Sequence, residues 1–423
     1  MNILAINPWI IDCAAYDFWL KPYGFLVILT YLKNKGLSID YIDCLDKKIS
    51  QADFGRGKYY CEIIPTPGAA KSIPRYFKRY GMPKDEFEKR LVGKNPDYIL
   101  ITSSMTYWYP AIIELNLILR KKFPKIPIIL GGTYATLCDS HAKENNCGDF
   151  IFKNSEIDKF FKLINCPFNL EELYSTLPDY ENFYSSLDYL VLRTSWGCPF
   201  SCSFCAIKKL SSGFLRINSD KIVNFIVKYA RRGLSHFVLY DDAFLYEPEY
   251  AKILLNNIVK RKLKINFHTP NALHLRFLDP EISKLLKQSG FINPHFGLET
   301  LNPKLQKAWG DKATRDDLVK GIESLKNGGF KNGEFSIYLL LGYPNQDLDE
   351  LKSDVEFINR LGARVSLAEF SPVPETEIFK HYQNNVDEPI LHNNSLFSFF
   401  QKEKIKDFWK IKNYVRDLNK KLN

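Results

Sequence analysis

Apolar and polar positions alternate in two blocks along the chain. In the first, Asn2–Ile6 is a short apolar run that reads as a strand, followed by a loop containing Pro8, Trp9 and Asp12. Leu26, Leu29 and Leu32 then recur at helical spacing over Gly24–Lys35, with Gly36 as the stop, and Ser38–Asp43 reads as a second strand. Residues 51–95 are rich in Gly, Pro, Lys and Arg and predict an irregular insertion with one short helix. The alternation resumes with strand Tyr98–Thr102, helix Pro110–Lys122 and strand Ile126–Leu130, closed by Gly131-Gly132. Strands alternating with helices predict an α/β fold. Residues 1–150 form a doubly wound (Rossmann-like) parallel sheet whose ligand site lies beyond the carboxyl ends of the strands.

Residues 151–188, with Pro167 and Pro178, read as a linker. A second alternation fills 189–375, with strands near 190–195, 235–240, 264–268, 293–298, 334–341 and 365–370. Ser219 is placed to cap a helix carrying Ile222, Phe225, Ile226 and Tyr229 on one face and ending at Gly233. Thr314-Arg315-Asp316-Asp317 has the form of a capping box, with Asp in place of Glu. Six βα units are too few for a closed eight-stranded barrel and suffice for an open, partial (βα)6 barrel, which does its chemistry at the carboxyl ends of the strands. Residues 376–423 read as a C-terminal helical extension, with Phe408, Ile411, Val415 and Leu418 at helical spacing.

Composition adds bounds. At 423 residues the chain suits two or three domains, and 45% hydrophobic with 25% charged residues excludes bulk disorder. No apolar run reaches the ~18 residues of a membrane helix, and the N-terminus lacks a basic segment and a small-residue cleavage site. The expectation is a soluble cytoplasmic protein without a membrane partner. The net charge of +10 is not a nucleic-acid footprint: residues 401–423 hold eight Lys/Arg against Glu403, Asp407 and Asp417, so +5 of it is one face of a terminal helix.

Nine cysteines, an odd number in a long chain with no export signal, argue against a disulfide framework. Six are scattered singly. The other three fall within eight residues of Arg193-Thr-Ser-Trp-Gly-Cys198-Pro-Phe-Ser-Cys202-Ser-Phe204-Cys205, at the carboxyl end of the first barrel strand. Three thiolates on one loop hold three irons of a cubane and leave the fourth open to an outside ligand. Zinc normally takes four ligands, with a second pair or histidines downstream. Chance placement of thiols is the other alternative.

This CxxxCxxC spacing resembles that of the radical S-adenosylmethionine (SAM) enzymes, and the resemblance extends over the barrel, 185–375. It implies a 4Fe–4S cluster on Cys198, Cys202 and Cys205 whose unique iron binds the amino and carboxylate groups of SAM. One electron then cleaves SAM to a 5′-deoxyadenosyl radical that takes hydrogen from substrate. Phe204 fits the aromatic position near the adenine. Tyr240-Asp241-Asp242 falls where the family accepts the SAM ammonium, and Gly297-Leu298-Glu299-Thr300 where it contacts the ribose. His268 and Asn271, at the end of strand three, face the cavity as candidates to orient substrate or move a proton.

Lys21-Pro22-Tyr23-Gly24-Phe25-Leu26…Gly36…Asp40-Tyr-Ile-Asp43 resembles the first βαβ unit of the cobalamin-binding domain that precedes some of these barrels. If cobalamin binds, Ser103, Ser104, Gly131, Gly132 and Thr133 are the expected contacts. The usual DxHxxG histidine is missing, since the first histidine is His141. The resemblance implies a radical SAM methyltransferase acting on an unactivated carbon of a small-molecule or natural-product substrate, with flavodoxin or ferredoxin as electron donor. A methylthiotransferase with a second cluster on Cys13, Cys44 and Cys61, a cobalamin-independent radical SAM enzyme, and a non-enzymatic iron–sulfur sensor are the alternatives. Asp12-Cys13-Ala14 lacks the Gly-Cys pattern of the methylthiotransferases.

Overall fold

The computed structural model describes residues 1–381, 386–396 and 404–422. The chain forms two compact units. The first comprises Met1–Asp188 with Lys209–Ser212 and, among the described residues, 386–393. The second comprises Tyr189–Lys208, Gly213–His381 and, among the described residues, 394–396 and 404–422.

In the first unit, β1 (Asn2–Asn7), β2 (Ser38–Asp43), β3 (Tyr98–Ile101), β4 (Ile128–Leu130) and β5 (Phe150–Ile151) form one parallel sheet in the order β5-β4-β3-β1-β2. Residues 3–6 of β1 are buried on both faces, which explains their continuous apolar run. Helices Tyr23–Asn34 and Tyr109–Lys122 make the crossovers β1 to β2 and β3 to β4. The strand order reverses beside β1, so the switch point where such sheets bind ligands lies between the ends of β1 and β3.

The stretch 51–95 is more ordered than its composition predicts. Besides the expected short helix, Lys84–Arg90, it supplies Cys61–Ile64 and Phe77–Tyr80 to an antiparallel sheet with Ile10–Asp12. Lys78 and Arg79 interrupt the apolar alternation there, and Arg79 bonds Glu62 and Glu114 instead. Residues 151–188, read as a linker, pack with the first unit and carry helices Ile157–Leu163 and Leu170–Ser175.

In the second unit, β6 (Leu190–Leu192), β7 (His236–Leu239) and β8 (Asn266–His268) form one parallel sheet. A second contains β9 (Leu273–His274), β10 (His295–Glu299), β11 (Ser336–Leu341) and β12 (Arg364–Glu369). Helices Ser219–Ala230, Pro248–Lys260, Pro280–Gln288, Arg315–Asn327 and Leu348–Arg360 cover the outside. Phe237, Phe267, Phe296 and Phe335 are fully buried, each contributing about 1.5–3 kcal/mol through burial. Asn218, not Ser219, caps the first of these helices by accepting from the Asp220 and Lys221 amides, while Thr314 and Asp317 form the reciprocal box. Helix Ile405–Asn419 buries Phe408, Ile411 and Val415, and its Asn419 side chain bonds both backbone groups of Val365 at the barrel edge. No helix among the described residues is long and apolar enough to cross a membrane.

Candidate functional site

The loop after β6 is shaped by its backbone. Ser195–Trp196 pairs antiparallel with Leu215–Arg216, Gly197 at φ 71° turns the chain, and the Cys205 amide donates to the Cys202 carbonyl at 3.0 Å. From the far side Gly310 (φ 99°) approaches so closely that a Cβ there would stand 2.9 Å from the Ser201 carbonyl oxygen and 3.2 Å from the Cys202 Cα. Phe204 meets Trp309 edge-on at 5.6 Å, and Trp309 meets Tyr343 at 4.9 Å. Phe200 stacks on His274 at 4.8 Å.

Burial, with Cys205 and Cys202 adding to it, pushes the Cys198 thiol up to about 11. Burial raises Cys202 and Cys205 too, and Lys312 opposes it at both. The three thiols therefore feel one another. Among the described residues, no three thiol, imidazole or carboxylate groups gather around a single metal ion. Three thiols on one loop suit a cubane, in which each thiolate takes a different iron, whereas a structural zinc site takes four ligands.

The two adjacent aspartates at the end of β7 have different duties. Asp241 is 3% exposed and accepts from the Thr194 amide (3.0 and 3.1 Å), the Thr194 hydroxyl (2.6 Å) and the Ser195 hydroxyl (2.7 Å). Both oxygens are engaged in holding the cluster loop's first residues. Asp242 accepts from Arg193 at 2.5 Å. Burial raises its carboxyl above the usual range against the Arg193 charge, and its own charge reaches Cys198 and Cys205.

Glu299 ends β10 at a register shift, with φ 71°, a left-handed conformation uncommon for a non-glycine residue. It accepts from Lys312 at 2.7 Å. Thr300 is buried in the following turn, its hydroxyl accepting the Asn302 amide and its carbonyl the Gln306 side chain. His268 is buried and lies 3.2 Å, ring nitrogen to ring nitrogen, from His236. The Asn271 amide donates to the Tyr240 carbonyl at 3.0 Å, which ties the ends of β7 and β8 together. Sequence reasoning missed Lys312, gave Arg193 no role and passed over His274. None belongs to a periodic pattern, and only the fold brings them to the loop.

In the first unit, a cleft at the switch point is lined by Asn7, Trp9, Leu45, Ser103, Ser104 and Trp108 among others, with an empty volume of about 280 Å³, open solvent included. Ser103, Gly131, Gly132 and Thr133 come together at its edge: the Ser103 hydroxyl donates to the Gly131 carbonyl (2.7 Å), and the Thr133 amide donates to the Ser103 carbonyl (2.7 Å). Gly132 (φ 93°) is required, since a Cβ would lie 2.4 Å from that carbonyl oxygen, whereas above Gly131 there is open space. Ser104 is exposed at the rim. His141 does not line the cleft; it bonds the Tyr134 hydroxyl at 2.7 Å. Cys44 is fully buried, and burial pushes Cys13 up to about 12.

Residues 193–358 match the family described as the radical SAM superfamily. An uncharacterized methyltransferase of Pyrococcus horikoshii is 22% identical over 223 residues, covering 50% of this chain and 47% of its own length. The ribosomal protein uS12 methylthiotransferase RimO of Clostridioides difficile is 23% identical over 264 residues, covering 58% and 54%. The chain thus spans about half the length of these curated relatives. Two structures of the radical SAM methyltransferase TsrM from Kitasatospora setae share the fold. One, with tryptophan and a SAM analogue bound, has a TM-score of 0.66 at 14% identity, covering 90% of this chain and 76% of that one. The other, with cobalamin and a 4Fe–4S cluster bound, has a TM-score of 0.64 at 15% identity, covering 90% and 78%.

Proposed function

We propose that this chain, whose residues 193–358 match the radical SAM superfamily, is a radical SAM enzyme that transfers a methyl group to carbon, with cobalamin as its second cofactor. The observation that carries the reading is the meeting, at one end of one barrel, of the three-thiol loop, the Arg193–Asp242 pair and the strained Glu299. Cys198, Cys202 and Cys205 hold the 4Fe–4S cluster. Together cluster and SAM would supply the chemistry, one-electron cleavage of a sulfonium C–S bond coupled to hydrogen abstraction from substrate.

The chain's own residues bind and orient. Asp242 accepts the SAM ammonium in a charge-assisted hydrogen bond, and Arg193 keeps that carboxylate ionised against its burial. Glu299 accepts the ribose hydroxyls while Thr300 fixes the turn that carries it. Phe204, braced by Trp309, offers an edge to the adenine. His268, which lies 3.2 Å from His236, orients the substrate or holds a proton in the barrel; Asn271 positions the strand ends.

For cobalamin, the support is the switch-point cleft with Gly132 cradled against Ser103, the open space over Gly131, and the fold likeness to TsrM, whose structure holds cobalamin. Ser103, Ser104, Gly131, Gly132 and Thr133 would be the contacts, and no histidine is among the described residues that line the cleft. The partners are a small-molecule substrate and a low-potential electron donor of the flavodoxin or ferredoxin kind. A second reading, methylthio transfer, draws on the RimO relative. It needs a second cluster on Cys13, Cys44 and Cys61, and the complete burial of Cys44 speaks against it.

The test is anaerobic reconstitution with iron, sulfide and hydroxocobalamin, desalting, metal analysis, and incubation with SAM and dithionite. The reading expects four irons, one cobalt and 5′-deoxyadenosine. Four irons without cobalt remove the second cofactor, eight irons favour the methylthiotransferase, and near-zero iron overturns the proposal.

A further inference from the structure

Lys312 is a buried ammonium set against the cluster loop by an arrangement that involves three glycines or near-glycine conformations. Gly297 gives it its berth: a Cβ there would lie 2.3 Å from Nζ and 3.0 Å from Cε. Gly310, two residues earlier, packs its turn directly on Ser201 and Cys202. Glu299 reaches Nζ at 2.7 Å only because the strand shifts register between Gly297 and Glu299 and the glutamate adopts φ 71°. A backbone strained at one point and stripped of side chain at another serves to hold one positive charge in one place.

The surroundings identify what that charge faces. Gly310, two residues before Lys312, sets that turn against the Ser201 carbonyl and the Cys202 Cα, and Glu299 holds Nζ from the other side at 2.7 Å. His274 is 3% exposed, stacks on Phe200 between the first two cysteines, and its Nδ1 is among the described buried atoms that have no hydrogen-bond partner. Burial, then Lys312 and Arg276, push His274 down to about 3, so the imidazole beside the loop is neutral. A buried nitrogen without a partner, next to a buried cation, marks a place completed by something the chain does not itself supply.

Resting on the radical SAM reading above, we propose that Lys312 is a positioning residue for the cluster: its ammonium stabilises the reduced state, and Glu299 sets how much of that charge the cluster feels. One-electron reduction adds a negative charge to a cluster that three thiolates already make electron-rich, and net charge is a principal determinant of such potentials. The electron comes from the external donor and stays on the cluster until SAM receives it. A buried cation nearby favours the reduced form, and a buried carboxylate paired to that cation offsets part of the effect. When SAM adds its ribose hydroxyls to Glu299, they share that carboxylate's charge, so more of the Lys312 charge is felt at the cluster and cofactor binding and electron uptake reinforce each other.

The experiment compares wild type, Lys312→Met, Lys312→Arg and Glu299→Gln, each reconstituted anaerobically with iron and sulfide and studied without SAM. All are poised at one potential with dithionite and mediators, and reduced cluster is counted by electron paramagnetic resonance. The ratio of reduced to oxidised cluster is expected to fall about tenfold in Lys312→Met, a shift of about 59 mV for one electron. It is expected to stay near wild type in Lys312→Arg and to rise in Glu299→Gln. Full iron loading with ratios within twofold of wild type in both Lys312→Met and Glu299→Gln overturns the inference, and so does a shift of the same sign in both. Should Lys312→Met fail to take up iron, the rise in Glu299→Gln and the rescue in Lys312→Arg still decide it. Wild type that binds no iron overturns the radical SAM reading itself, an outcome distinct from loaded clusters with unchanged ratios.

Discussion

Replacing Asp241 tests whether this carboxylate builds the site or binds the cofactor. It accepts from the Thr194 amide and hydroxyl and from the Ser195 hydroxyl, and both of those residues are wholly buried. Asp241→Ala leaves these three donors facing a void. At about 1–3 kcal/mol for each unsatisfied buried group, with hydroxyls partly rotating to new partners, the loss is about 3–6 kcal/mol. Asp241→Asn keeps one acceptor oxygen and turns an N–H₂ toward donors, for a loss of about 1–3 kcal/mol. Because Thr194 and Ser195 lead straight into Gly197 and Cys198, iron uptake falls in the same order. Urea unfolding followed by circular dichroism gives the stability, and iron analysis after reconstitution gives the second readout. If Asp241→Asn is as stable as wild type, loads iron fully and loses only SAM affinity, the structural assignment is wrong and Asp241 is a ligand.

Other expectations follow from single contacts. Gly310→Ala places a methyl group 2.9 Å from the Ser201 carbonyl oxygen in a left-handed conformation, so iron per chain after reconstitution should drop by more than half while the far-UV spectrum is retained. Gly132→Ala drives a Cβ into the Ser103 carbonyl and should lower the melting temperature and abolish cobalt uptake from hydroxocobalamin; unchanged uptake would move the cobalamin site elsewhere. Asp354 carries a carboxyl raised to about 6, by burial first, against an ordinary 3.8. The native state therefore binds the extra proton between those values, and this contribution to stability is lost as pH rises through 6. Asp354→Asn should be more stable than wild type at pH 7.5, and the gain should shrink as pH falls through 6 and vanish below 3.8; a gain independent of pH would refute the shift.

Much of the architecture is written in periodicity. The six barrel strands fall within a few residues of the apolar runs near 190, 235, 264, 293, 334 and 365, because parallel strands buried on both faces read as unbroken apolar segments. The Thr314–Asp317 box is equally legible, since its hydrogen bonds are local. What escaped is what depends on partners distant in sequence. Phe77–Tyr80 is a strand despite Lys78 and Arg79, because Glu62 and Glu114 neutralise the arginine. Phe150–Ile151 and Leu273–His274, two residues each, are too short to show any period, and each exists only by pairing with a longer neighbour. The cysteine triad was visible because its spacing is its chemistry. Lys312 was not, because nothing local marks it; its role arises where the shifted end of β10 brings Gly297 and Glu299 beneath it.

The two carboxylates proposed to face SAM, Asp242 and Glu299, sit in ion pairs within the chain. Asp242 with Arg193 and Glu299 with Lys312 are partly shielded from water, and a buried carboxylate without a cation would take up a proton and lose its ability to accept from an ammonium or a hydroxyl. Each pair leaves unused acceptor capacity on its acid, since a carboxylate offers about four lone-pair sites and the cation in each pair occupies one of them here. SAM can bind by adding to these pairs instead of breaking them. Removing Arg193 should then weaken SAM binding with the steepest loss at low pH, where Asp242, already raised by burial, protonates first. Arg193→Met should show that pH-dependent weakening in equilibrium binding of SAM to the reconstituted protein. A loss of affinity equal at pH 6 and pH 8.5 would mean that Arg193 acts through packing on Trp196, over which its guanidinium lies at 5.3 Å, and not through charge.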